Sequence, residues 1–134
     1  PCKYVAKGDF VIQGEVNFQK EPIISLWLKA ENGKFYEVEA VVDTGFNGFL
    51  TLSREDIETL ELPFKSRQRV TLGDDRSRRL SEFEGTVIWN GVSRRVPILS
   101  SEQGAIIGTR LLEGSHLFID VIDGGAVQMT PREG

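Results

Sequence analysis

An all-β fold with one or two short helices is predicted by this chain, on three observations. Short runs rich in β-branched, aliphatic and aromatic residues recur along it, each bounded by a turn signal. Asn-Gly or Asp-Gly dipeptides punctuate three of these runs, at Asn32-Gly33, Asn90-Gly91 and Asp123-Gly124. Helical periodicity is confined to two brief windows. Many short strands at regular spacing favour a closed barrel or sandwich over a fold of alternating strands and helices.

Taken in order, Ile23 to Leu28 forms the first strong strand and leads to Asn32-Gly33, a dipeptide suited to the positive φ angles of a tight hairpin. The return strand, Phe35 to Val42, alternates: Tyr36, Val38 and Ala40 face one way, Glu37 and Glu39 the other. It turns apolar on both faces at Val41-Val42, as a strand does on entering a core. Ser53 is placed as an N-cap, with Asp56 completing a capping-box-like pair, and Ile57 and Leu60 share the helix face that follows. Pro63 ends that helix. Thr86 to Trp89 and Ser93 to Leu99 pair through Asn90-Gly91. A second helical piece, Thr109 to Glu113, is closed by Gly114. Leu117 to Ile122 and Ala126 to Met129 then pair through Asp123-Gly124-Gly125.

Composition narrows the function classes. The length of 134 residues suits one domain, and no repeat or linker divides it. Net charge is −4, which argues against nucleic acid as the main partner. The local exception is Lys65, Arg67, Arg69, Arg76, Arg78 and Arg79, a basic run read as a solvated hairpin. Apolar stretches are too short to span a bilayer, so no membrane association is expected. No charged segment followed by an apolar one opens the chain, so no secretory signal is expected. A single cysteine, Cys2, allows no internal disulfide, which favours the cytoplasm. Cys2 and His116 are too few for a zinc site, and no calcium-loop spacing is present, so neither metal nor cofactor is expected. Cys2 lies in an N-terminus expected to fray, and no Gly-x-Ser-x-Gly elbow occurs, so nucleophilic catalysis has no candidate.

One acid stands apart. Asp43-Thr44-Gly45 follows Val41-Val42 directly and opens a loop containing Gly48. In isolation the tripeptide reads as a β-turn. After a buried strand, however, the acid is expected in a low dielectric that disfavours its ionised form. A fold avoids that cost unless the acid has a partner or a task. A second element, Ala105-Ile106-Ile107-Gly108, leads into the helix around Leu111-Leu112.

In these two places, Val41-Val42-Asp43-Thr44-Gly45 and Ile106-Ile107-Gly108-Thr109-Arg110-Leu111-Leu112, the chain resembles the retropepsin-like aspartic proteases. The wording from Asp43 to Leu52 looks most like bacterial single-domain members, and element order follows the family from about residue 23 to 129. Val70 to Arg76 stands where the family carries its flap hairpin. The resemblance implies a retropepsin-like closed barrel over residues 1–134, and an aspartic endopeptidase acting on peptide or protein substrates. Two carboxylates flanking one water share a proton in such enzymes. A chain with one triplet must therefore take its second carboxylate from another copy, as a homodimer. The resemblance implies that Asp43 is catalytic, that Thr44 hydrogen-bonds across the two-fold axis, and that Gly45 admits substrate backbone. Ile106-Ile107-Gly108 would back the loop by packing. Phe46, Asn47 and the flap residues Gly73, Asp74 and Asp75 would meet substrate.

The chain departs from the viral members of the family at several of these positions. Phe46 is bulky where they carry a small residue, Asn47 stands where they carry an acid, and Gly73 to Arg76 is charged and poorer in glycine. The rival reading is a catalytically idle fold of the same kind, used for dimerisation or peptide recognition. An intact Asp43-Thr44-Gly45 argues against it, because a binding module has no need of such an acid.

Overall fold

In the hairpins of this chain side chains alternate along the strands, and glycine or asparagine lets the backbone reverse between them. The structure, a computed structural model, describes residues 2–5, 12–71 and 77–132. They form mostly strand with two short helices, as expected. In chain order the elements are β1 (Lys3–Val5), β2 (Gln13–Val16), β3 (Pro22–Lys29), β4 (Phe35–Val42), β5 (Leu50–Leu52) and α1 (Arg54–Leu60). There follow β6 (Phe64–Thr71), β7 (Ser77–Trp89), β8 (Val92–Ser100), β9 (Ile106–Ile107), α2 (Thr109–Leu112), β10 (Ser115–Ile119) and β11 (Ala126–Pro131). Among the described residues no helix is long and apolar enough to cross a membrane.

The three expected hairpins are present: β3 with β4, β7 with β8, and β10 with β11. Asn90 and Gly91 both take positive φ, 52° and 79°, as a two-residue turn of this kind demands. The first hairpin differs from expectation. Only Gly33 takes positive φ, and the turn is wider, closed by Ala30 N–H to Lys34 O (2.8 Å) and Gly33 N–H to Ala30 O (2.9 Å). Asn32 contributes its side chain, whose Oδ1 accepts from Lys34 N. An asparagine that can bond the backbone two residues on has no need of the left-handed region.

Pairing runs from β4 to β9, β9 to β5, β5 to β8, β8 to β7 and β7 to β3, and β3 in turn pairs with β4. Two of these contacts are parallel and join distant stretches: Val41 and Val42 with Ile106 and Ile107, and Leu50 to Leu52 with Ile98 to Ser100. Inside lie Ile24, Leu26, Leu28, Val38, Ala40, Val42, Leu50, Leu52, Ile98 and Ile107, all buried in one cluster. Burial of each aliphatic side chain of this size contributes about 1.5–3 kcal/mol relative to exposure. The apolar alternation of β3 and β4 is thus the inward face of the sheet.

Ser53 caps α1 as expected, its Oγ accepting from Asp56 N at 3.2 Å. Asp56 does not complete a reciprocal box. Its buried carboxylate accepts from Cys2 N at 2.7 Å and so ties the chain's beginning to the helix. Cys2 is accordingly half-buried against the core, not frayed. At its other end α1 closes before Pro63. Glu61 enters the left-handed region (φ 55°), Glu61 N bonds Glu58 O, and Leu62 N bonds Ile57 O. This is a Schellman arrangement with glutamate where glycine is usual.

Beyond Glu82, β7 leaves β8 and continues paired only with β6, as a two-stranded ribbon. Gly73, Asp74 and Asp75, where the tip of a flap is expected, lie outside the described residues.

Candidate active site

Val42 is the last residue of β4, and its neighbour in the sheet is Ile107. Asp43 therefore leaves the sheet at a fixed point, with its N–H bonded to Ile107 O (2.9 Å). The loop that follows is held against the segment after β9 at each residue from Phe46 to Phe49. Gly108 N bonds Phe49 O (3.0 Å), Thr109 N bonds Phe46 O (2.9 Å), and Arg110 N bonds Gly48 O (3.1 Å). Two side chains add to this: Thr109 Oγ1 donates to Phe46 O (3.3 Å) and Arg110 Nε to Asn47 O (3.0 Å). Ile106-Ile107-Gly108 does back the loop, by backbone bonding as much as by packing.

The glycines explain how the two segments come so close. A Cβ on Gly108 would run into Gly48 O, and would stand 2.6 Å from the Phe46 ring. A Cβ on Gly48 would strike the same ring. Phe46 is 4 % exposed and packs with Leu99, Ile106 and Leu80 in a small second cluster. Its bulk fills the space that the two glycines leave.

Within this frame Asp43 is half-buried, and Thr44 and Gly45 are exposed. The sealed, low-dielectric setting expected from Val41-Val42 is not what the single chain provides, because the backbone turns outward directly after β4. Asp43 Oδ1 accepts from Gly45 N at 2.8 Å, and Phe46 N bonds Asp43 O at 3.2 Å. Among the described residues Oδ2 makes no hydrogen bond. A side chain at position 45 would approach Asp43 Oδ1 to 3.2 Å, so glycine keeps the carboxylate uncrowded.

Beside the loop lies a cavity of about 530 Å³, walled by Phe46 and Asn47, by Gln68 and Arg69 of β6, and by Leu99 and Arg110. Asn47 is exposed there, whereas buried Phe46 contributes only wall. A larger cavity, about 790 Å³, lies where the ribbon leaves the sheet, between β7, the start of α1 and the turn after β8. Asp43 lines neither cavity. Sequence reasoning did not single out Arg69, Leu99 or Arg110 as cavity residues. Arg110 had a readable signal, since it falls inside the Gly108-Thr109-Arg110 motif; the others are scattered along the chain.

Burial, and secondarily the Asp56 charge, push the Cys2 thiol up to about 11, so it is protonated at neutral pH and a poor nucleophile. His116 is exposed. Among the described residues no three His, Cys, Asp or Glu side chains gather as a metal site requires.

No protein-family model matches the chain, and no curated protein matches it. Among solved structures, its fold is similar to the crystal structure of a retropepsin-like aspartic protease from Rickettsia conorii, with a TM-score of 0.56 and 16% sequence identity. The match covers 97% of this chain and 94% of that chain. Likeness at such low identity establishes a shared fold and nothing finer.

Proposed function

We propose that the chain is a homodimeric aspartic endopeptidase, in which a water is activated between two Asp43 carboxylates, one from each subunit. The observation that carries this reading is the setting of Asp43. It sits on a loop held by six hydrogen bonds to residues 107–110, yet its carboxylate is half open and lines neither of the two cavities described above. An acid placed so firmly but left unenclosed needs an opposite wall, and a second copy related by a two-fold axis supplies one.

In the dimer, Gly45 N–H holds Asp43 Oδ1, while Oδ2 is left for the partner's carboxyl. Two carboxylates at that range cannot both ionise and share one proton. The ionised member takes a proton from the water as the protonated one polarises the scissile carbonyl. Thr44 joins the two loops across the axis, and Gly45 leaves room for substrate backbone. The β6/β7 ribbon serves as flap, with Gly73, Asp74 and Asp75 at its tip and Asn47 facing substrate from below. The whole chain is read as one closed barrel. Its support is the pairing that returns from β3 to β4, and one main core cluster drawing on residues from Ile12 to Met129. For the interface, β10 offers an edge that among the described residues pairs only with β11, and it carries Phe118 60 % exposed.

The test is cleavage of a mixed peptide library near pH 5, with sedimentation under the same conditions. Cleavage by wild type that Asp43→Asn lowers by about 10²–10⁴-fold, without loss of folding, is the expected result. Full activity in a strict monomer sinks the dyad. A protein that binds peptides and cuts none belongs to the idle-module reading instead.

A further inference from the structure

The basic residues of the ribbon read from sequence as a solvated surface, but the fold brings two of them to a third arginine at one cavity. Arg67 of β6, Arg79 of β7 and Arg54 at the start of α1 line the 790 Å³ space described above. Arg69 is directly opposite Arg79, and Arg67 opposite Ser81. Arg67 and Arg79 are therefore diagonal neighbours on one face of the ribbon, a separation of about 7–8 Å in antiparallel pairs. Like charges so placed repel, and among the described residues no acid is paired with them, so an acidic ligand finds the position open.

Nor is the counter-charge missing for want of acids, which outnumber bases 20 to 16. Three cations elsewhere are paired, Lys20 with Asp123, Lys65 with Glu84, and Arg95 with Glu31 and Glu84, while Arg110 bonds a backbone carbonyl. Among the described residues Arg54, Arg67, Arg69 and Arg79 make no ion pair. Glu102, exposed on the turn after β8, lines the same cavity without bonding any of them. The neutral groups there are donors as well. Ser53 Oγ accepts from Asp56 N and Ser101 Oγ from Gln103 N, which leaves each hydroxyl proton uncommitted.

We propose that this cavity binds an acidic peptide segment, with Arg67 and Arg79 gripping one carboxylate and Arg54 a neighbouring one. Three guanidinium groups on three separate elements spread the charge across a space far larger than one oxyanion. That arrangement suits carboxylates strung along a chain better than a compact phosphate. As a substrate-docking site this rests on the endopeptidase reading, since it names the substrate class; binding itself requires no hydrolysis.

The experiment uses the full chain carrying Asp43→Asn, so that nothing is cut, and fluorescence anisotropy of a labelled peptide of alternating Glu and Gly. Its counterpart has Gln in place of Glu. At low salt the Glu peptide binds about tenfold tighter than the Gln peptide, and the advantage shrinks as salt rises. An Arg67→Gln/Arg79→Gln pair, both surface positions, removes the advantage while leaving the melting temperature unchanged, and Glu102→Gln increases it. Equal binding of the two peptides, or an advantage that survives the double substitution, overturns the proposal. So does inorganic pyrophosphate that binds more tightly than the Glu peptide, which makes a free polyphosphate the ligand. Arginine-dependent binding alongside a wild type that cuts no peptide refutes the endopeptidase and leaves the acidic site standing. Cutting of neutral and acidic peptides alike does the reverse.

Discussion

The loop from Asp43 to Phe49 and the ribbon of β6 and β7 are held in opposite ways. The loop is bonded to a second segment at Asp43 and at each residue from Phe46 to Phe49, and is packed so closely that two positions admit only glycine. Past Glu82 the described residues of the ribbon pair only with each other, and Leu80 rests on the Phe46 cluster. Chemistry that depends on a carboxylate within a fraction of an ångström of its target belongs on the first kind of element. Recognition of variable chains, through long charged side chains at an exposed surface, belongs on the second.

The comparison breaks most readily at Gly108. Replacement by Ala drives a Cβ onto Gly48 O and Phe46 O, and costs about 3 kcal/mol or more in urea denaturation. Gln68→Ala on the ribbon changes stability by less than about 0.5 kcal/mol. If the two come out alike, the loop is not braced as described.

A smaller effect is expected where the chain's beginning is tied down. Asp56→Ala leaves Cys2 N–H without its acceptor and costs about 1–3 kcal/mol. The same change removes one of the two main causes that hold the Cys2 thiol near 11, burial being the larger. Labelling by a disulfide reagent at pH 8 is accordingly slow in the wild type and faster in the variant. Unchanged labelling means burial alone protects the thiol.

At the root of the ribbon, Lys65 and Arg95 hold Glu84, and Arg95 also holds Glu31. Hydrogen bonds from Arg95 lower Glu31, and those from Lys65 and then Arg95 lower Glu84, both from the ordinary 4.5. Depressed carboxylates stabilise the fold above that value, and the contribution is lost as pH falls below it. Arg95→Met therefore lowers the melting temperature by about 1–3 °C at pH 7, and the difference from wild type fades in acid. A difference that persists at pH 3 assigns the loss to packing of the arginine stem. Smallest of all is Glu61→Gly at the end of α1, where relief of φ 55° raises stability by about 0.5 kcal/mol.

Local pattern carried the hairpins well, because Asn90-Gly91 and the β3/β4 alternation express short-range rules. It missed whatever depends on a partner far along the chain. Nothing in Leu50 to Leu52 announces pairing with Ile98 to Ser100, since an apolar run specifies burial and not its neighbour. Asp56 reads as a cap partner by spacing, yet it serves Cys2, a contact no helix rule contains. The triplet at Asp43 was legible as a motif and so was its glycine counterpart at 108, while the exposure of Asp43 was misread. The preceding valines describe the strand, and the open turn at Thr44-Gly45 decides what the carboxylate meets. The arginine cavity joins positions 54, 67 and 79 with 100–103, and only the fold makes them neighbours.

The pairing of β4 with β9 also bears on how the molecule is born. A chain emerging from a ribosome displays Asp43 well before Ile107, Gly108 and Arg110 have been made, and contacts between such distant stretches form slowly. Until they arrive the loop has no brace. A truncated product or a nascent chain stopped short of residue 110 carries the acid without its setting. The topology thus works as a proof of progress, withholding the assembled loop from any chain that has not been translated past residue 110.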